Sequence, residues 1–87
     1  MAFTVTWHPD AEQDLAAIWI GSRLRFSISG AVQRIDEVLR TDPISAGESR
    51  EGNRRVLFVD SLGVEFRVFE LDCKVNVTAI WQPERKR

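Results

Sequence analysis

A single cysteine, Cys73, excludes an internal disulfide and any cysteine-rich metal site. The one histidine, His8, and the scattered carboxylates add no ligand spacing that would hold zinc or a transition metal, so neither a metal nor a cofactor is expected. No apolar stretch approaches the roughly 20 residues needed to span a bilayer. The start, Phe3-Thr4-Val5-Thr6-Trp7, alternates apolar and polar residues and runs at once into His8-Pro9-Asp10, unlike a secretion signal. A cytoplasmic protein without membrane contact is the expectation. Excess charge of one sign is also lacking. The 12 Lys and Arg against 13 Asp and Glu leave a net charge of -1, which excludes the overall basicity that advertises nucleic-acid binding. Repeats and low-complexity tracts are absent, and 87 residues can bury one modest core but not two. One domain over residues 1–87 is expected.

What is present is strand-rich at the C-terminal end. Between Arg54 and Gln82 run RRVLFVD, VEFRVFEL and KVNVTAIWQ, separated by turn signals at Ser61-Leu62-Gly63 and Leu71-Asp72-Cys73-Lys74. Three strands joined by tight turns are neighbours and antiparallel. Phe3, Val5 and Trp7 recur at period two and predict a short first strand over residues 3–7, ended by Pro9. Antiparallel addition to an edge of the meander is its economical pairing. Pro9 and Asp10 suit a helix start, and Ala11, Leu15, Ile18 and Trp19 place one apolar stripe on a helix from about residue 10 to 22. Ile28, Ala31, Val32, Ile35, Val38 and Leu39 give a second stripe, and Asp42-Pro43 ends that helix near residues 40–42. Residues 43–53, with Gly47 and Gly52, read as a loop long enough to suggest a functional role.

The pattern predicts an α+β fold: an N-terminal strand, a two-helix hairpin, then a three-stranded antiparallel meander forming a curved sheet. Two helices cover only one sheet face, yet apolar groups stand on both. Val56 and Phe58 oppose Leu57 and Val59, while Val64, Phe66 and Val68 oppose Phe69 and Leu71. Either the sheet curls tightly, or the uncovered face is a groove that receives a partner's helix or strand.

Basic residues lean toward the sheet half. Arg23, Arg25, Arg34 and Arg40 stand in residues 1–42, whereas Arg50, Arg54, Arg55, Arg67, Lys74, Arg85, Lys86 and Arg87 occupy the rest. The set Arg50, Arg54, Arg55, Arg67 and Arg85 suits phosphate contact or target recognition. The plainer reading is a solvated face neutralised by Glu48, Glu51, Glu65 and Glu70. For Arg67, which shares a strand face with Glu65 and Phe69, that reading takes the form of a cross-strand ion pair. His8, with an ordinary pKa near neutrality, sits in a strand-to-helix turn before Pro9 and is a weak candidate for a general base. Trp7 and Trp19 read as packing residues. Trp81 closes the last strand beside the basic tail Arg85-Lys86-Arg87 and is placed to stack on a nucleobase.

The segments HPDAEQDLAAIW, AVQRIDEVLRTDP, GNRRVLFVD and GVEFRVFELDCKVNVTAIW together resemble the RelE/ParE superfamily of type II toxin-antitoxin toxins, over nearly the whole chain. The resemblance implies a growth-inhibiting toxin neutralised by a cognate antitoxin. It leaves a homodimer open, and it allows two targets: DNA gyrase for ParE-like members, messenger RNA on the ribosome for RelE-like ones. RelE-like nucleases are similar to one another in using lysines and arginines on the meander and often a tyrosine near the C-terminus. Here Arg54 and Arg55 match the basic positions at the start of the strand 54–60, and Arg85 matches the one after the last strand. Arg67 is shifted from the family's Arg-x-x-Tyr pattern. The chain has no tyrosine and only two lysines, Lys74 and Lys86. Arginines stabilise phosphate charge but are poor general bases. The reading is therefore a ParE-like binder using Arg50, Arg54, Arg55, Trp81, Arg85 and Lys86. The alternative is a ribosome-dependent endoribonuclease with an arginine-based site of Arg54, Arg55, Arg67 and Arg85.

Overall fold

The computed structural model describes residues 2–83; the expectations placed on Arg85, Lys86 and Arg87 lie outside the described residues. Strand β1 (Thr4–Trp7) leads into helix α1 (Pro9–Gly21). The helix begins at proline because His8 caps it: the His8 Nδ1 accepts a hydrogen bond from the Asp10 amide at 3.1 Å. An imidazole nitrogen used in this way serves a free helix amide, which is a structural task. At the other end the Arg25 guanidinium lies over the Trp19 ring, 4.6 Å from its centroid. It also donates to the Trp19 and Ile20 carbonyls at 3.2 and 3.3 Å in the last turn, the first of which accepts the Ser22 amide as well. Helix α2 (Arg25–Thr41) buries Ile28, Ala31, Ile35 and Leu39, the stripe its sequence predicts.

Residues 43–53 are not wholly a loop. They contain strand β2 (Glu48–Ser49), which pairs antiparallel with β3 (Arg54–Val59) through Glu48–Val56 and Ser49–Arg55. Both residues of β2 are exposed, so no apolar alternation announces it. Gly47 makes the approach possible. Its φ is +67°, and a Cβ there would stand 2.1 Å from the Val56 carbonyl oxygen.

A two-residue loop, Asp60-Ser61 with Asp60 in the left-handed region, joins β3 to β4 (Leu62–Phe69). A short turn of 3-10 helix at Glu70–Asp72 and the left-handed Cys73 lead into β5 (Lys74–Trp81). The sheet has the order β1-β5-β4-β3-β2. The meander is antiparallel as expected, but β1 joins its β5 edge in parallel, with Val5 beside Val75 and Trp7 beside Val77. The reason is directional. Helix α2 returns the chain to the end of the sheet where β1 begins, as the Phe3 amide bound to the Arg40 carbonyl at 2.7 Å attests. Strand β3 then sets out in the direction of β1, and two reversals restore that direction in β5.

Both helices pack on one face of the sheet, α1 on β5 and α2 on β1 and β3. Between the layers lies the core, with Leu62, Val64, Phe66 and Val68 from β4 and Val75, Val77 and Ile80 from β5. A bulge sits within β5: Glu65 pairs with Ala79 but Phe66 pairs with Val77, leaving Thr78 as the extra residue. Without it, strict alternation would put Trp81 on the face of Val75 and Val77. With it, Ile80 turns into the core and Trp81 emerges on the opposite face. The Thr78 hydroxyl fixes the kink through the Glu65 carbonyl at 3.2 Å and the Glu65 carboxylate at 2.9 Å. Thr78→Val, which keeps the shape and removes the hydroxyl, is expected to lower stability by about 1 kcal/mol. Its urea midpoint checks this.

Candidate binding face of the sheet

The face turned away from the helices is covered by no other element among the described residues. Strand register arranges it in rows. One end carries an aromatic row of Phe58, Gly63 and Trp81. The Trp81 indole lies over Gly63, where a Cβ would stand 2.6 Å from the ring, and Phe58 meets it edge-on with centroids 6.1 Å apart. Phe58 remains 53% exposed, so this pair forms an apolar surface open to a guest.

The next row is Glu48, Val56, Glu65 and Ala79. Beyond it comes a basic row, Arg54, Arg67, Asn76 and Thr6. Arg54 and Arg67 face each other directly across the β3–β4 ladder, an arrangement that disfavours the fold because like charges stand opposed. No described carboxylate lies within ion-pair distance of either, so the cross-strand ion pair expected for Arg67 is not formed. The Thr6 hydroxyl occupies the Asn76 side-chain carbonyl at 3.2 Å, leaving the Asn76 amide nitrogen as a further donor in the row. The last row holds Phe69, Lys74 and Thr4. In the sequence Lys74 stands at the end of a turn signal. It opens β5, exposed, one row from Arg67, and the two-residue alternation of Lys74 and Asn76 is the signal that reveals it.

The structure therefore separates the arginine set. Arg54 and Arg67 share the open face with Trp81, four residues further along the strands, about 13 Å at ordinary strand rise. Arg55 belongs to the opposite face, in register with Phe66, and donates to the Ala46 and Gly47 carbonyls at 3.0 and 3.3 Å. It holds the 43–53 segment against β3. Arg50 is exposed beyond β2 and pairs with Glu48 at 3.1 Å. Chemically, the open face offers three cations for a negative group, three aromatic rings, those of Phe58, Trp81 and Phe69, and two carboxylates, Glu48 paired with Arg50 and Glu65 held by Thr78.

Among the described residues no group of His, Cys, Asp and Glu could hold a metal ion, and no helix is long and apolar enough to cross a membrane.

Comparison with known proteins identifies the fold. No protein-family model matches the chain, and no curated protein matches its sequence. Among solved structures, the toxin-antitoxin complex RelBE2 of Mycobacterium tuberculosis is similar with a TM-score of 0.78 and 15% identity, over 95% of this chain and 93% of that one. The isolated E. coli RelE toxin gives a TM-score of 0.70 and 18% identity over 98% of this chain and 88% of RelE. A chromosomal ParDE TA system of P. aeruginosa gives 0.66 and 22% over 95% and 98%. The chain has the α+β fold of the RelE/ParE toxins.

Proposed function

We propose that the chain is the toxin of a type II toxin-antitoxin pair, that it arrests growth by binding a cellular target in the ParE-like manner with DNA gyrase as that target, and that a cognate antitoxin neutralises it. The observation that carries this reading is the open sheet face. Arg54 and Arg67 stand opposed there with no carboxylate partner among the described residues, about 13 Å along the strands from the Phe58–Trp81 aromatic pair. A fold keeps such an opposition at a cost in stability, and an anionic surface on a partner relieves it. Binding also fits the chemistry available: tyrosine is absent and the one histidine is engaged at the cap of α1.

A second reading, ribosome-dependent cleavage of messenger RNA, has one observation in its favour, the Glu65 carboxylate one row from the arginines. In that reading Glu65 removes the proton of a 2′-hydroxyl, and the resulting oxygen attacks the neighbouring phosphorus. Arg54 and Arg67 stabilise the pentavalent phosphate, and the departing 5′-oxygen takes a proton from Lys74.

Induced expression, followed by plasmid topology and primer extension on cellular transcripts, separates the two. Binding to gyrase gives loss of negative supercoiling with intact transcripts, in the parent and in Glu65→Gln alike. Codon-linked cuts that vanish in Glu65→Gln would replace the first reading with the second.

A further inference from the structure

The turn between α1 and α2 carries an apolar tip that the core does not use. Leu24 and Phe26 are 66% and 96% exposed there. Hydrogen bonds hold the backbone beneath them. The Leu24 amide donates to the Ser22 hydroxyl at 3.0 Å, the Ser22 amide donates to the Trp19 carbonyl at 3.4 Å, and the Arg25 guanidinium ties the turn to α1. The two apolar side chains are thus presented to water by a turn that polar contacts fix. Arginines alternate with them in the run Arg23-Leu24-Arg25-Phe26, and between Asp14 and Asp36 the chain holds three arginines and no carboxylate. Arg23 makes no ion pair with a described residue. Beside the tip lies a hollow of about 630 Å³, which Leu24 and Phe26 border with Ser27, Gly30, Arg34, Asp60 and Ser61. The one carboxylate in that lining, Asp60, is neutralised by Arg34.

We propose that the hairpin tip docks peripherally on an anionic lipid bilayer, Leu24 and Phe26 entering the interface while Arg23 and Arg25 meet lipid phosphates. Shape and charge both point to lipid. A peptide is held by apolar walls that enclose it, whereas the hollow beside the tip offers serine hydroxyls and an ion pair, which an apolar peptide would desolvate without compensation. A bilayer interface instead closes around an exposed side chain. A leucine and a phenylalanine flanked by arginines match its layering, acyl chains within and phosphates at the surface. The negative surface potential of such a bilayer strengthens binding by roughly fivefold for each arginine brought near it. With two apolar side chains and two cations the contact is weak and reversible. It needs no spanning segment, so it goes beyond the sequence-based expectation of no membrane contact, which rests on the lack of one. The inference rests on the tip alone and does not depend on what the sheet face binds.

Flotation of the purified full chain with unilamellar vesicles tests it, one set made of phosphatidylglycerol and phosphatidylcholine in equal parts, the other of phosphatidylcholine alone. The chain is expected to float with the anionic vesicles, to stay behind with the neutral ones, and to be released as salt rises, because the charge attraction lies at the surface and is screened. Arg23→Glu reverses one charge, and Phe26→Ser removes the larger apolar group while leaving the charge. Each is expected to lower the bound-to-free ratio on anionic vesicles by roughly tenfold or more. Both positions are exposed, and circular dichroism with the urea midpoint confirms that the variants fold. Arg54→Glu with Arg67→Glu, on the sheet face, is expected to float as the parent does, which separates the tip from the basic row. A parent chain that does not float with anionic vesicles, or floats equally with neutral ones, overturns the proposal. So do tip variants that float like the parent, or loss of flotation in the sheet-face variant alone. If the parent ignores vesicles but binds an acidic amphipathic peptide, and Phe26→Ser abolishes that binding, the tip belongs to a protein partner and the lipid proposal falls.

Discussion

Phe66→Ala is expected to lower stability by about 3–5 kcal/mol, the cost of emptying a large site that cannot collapse. Phe66 is the largest fully buried side chain, standing in β4 between Arg55 and Val77 with both helices above it. Nothing nearby can fill the gap without breaking the ladder or lifting a helix from the sheet. For a chain of this size, with total stability on the order of 5–10 kcal/mol, the loss removes a third or more of the whole. Urea denaturation followed by far-ultraviolet circular dichroism measures it, with Leu71→Ala as the contrast. Leu71 is fully exposed at the β4–β5 turn, and its removal is expected to change stability by less than about 0.5 kcal/mol. A Phe66→Ala chain with the parent's urea midpoint would mean that the core is not where the fold places it.

Arg67→Glu is expected to act in opposite directions on stability and on binding. Opposite Arg54, a glutamate converts a like-charge pair into an attractive one, so the fold should gain about 0.5–1 kcal/mol. The same change removes one of three cations from the open face and repels an anionic partner. Target binding should fall by roughly a hundredfold or more if the basic row is the contact. A residue kept only for structure would lose stability when replaced and leave function in proportion to the folded fraction. Paired measurement of the urea midpoint and of growth arrest on induction therefore distinguishes the roles. A variant that is less stable than the parent, yet arrests growth when folded, contradicts the functional reading of the row.

The helices and the meander were legible in the sequence because each buries one continuous stripe, such as Ile28, Ala31, Ile35 and Leu39 on α2 and Val64, Phe66 and Val68 on β4. Strand β2 was not, since Glu48 and Ser49 are both exposed and only the glycine before them permits their pairing. The parallel seat of β1 depends on where α2 delivers the chain, which no local pattern records. The site was less legible than the fold for a geometrical reason: strand register. A turn centred on Leu62 would set Arg54 opposite Glu70, a neutralised face. The actual loop of Asp60 and Ser61 sets it opposite Arg67 and leaves the charge standing. In the same way Trp81 reaches the open face only through the bulge at Thr78. Arg54 and Arg55, adjacent in sequence and read together, project to opposite faces, which period-two alternation requires of neighbours in a strand.

The central claim is that the protein acts through the sheet face its helices leave bare. Growth on induction of two folded variants tests it most directly, one with Arg54→Glu and Arg67→Glu on that face, the other with Arg40→Glu on the solvent side of α2. The account predicts that the first variant no longer arrests growth and that the second arrests it as the parent does. Full arrest by the doubly reversed chain would contradict it.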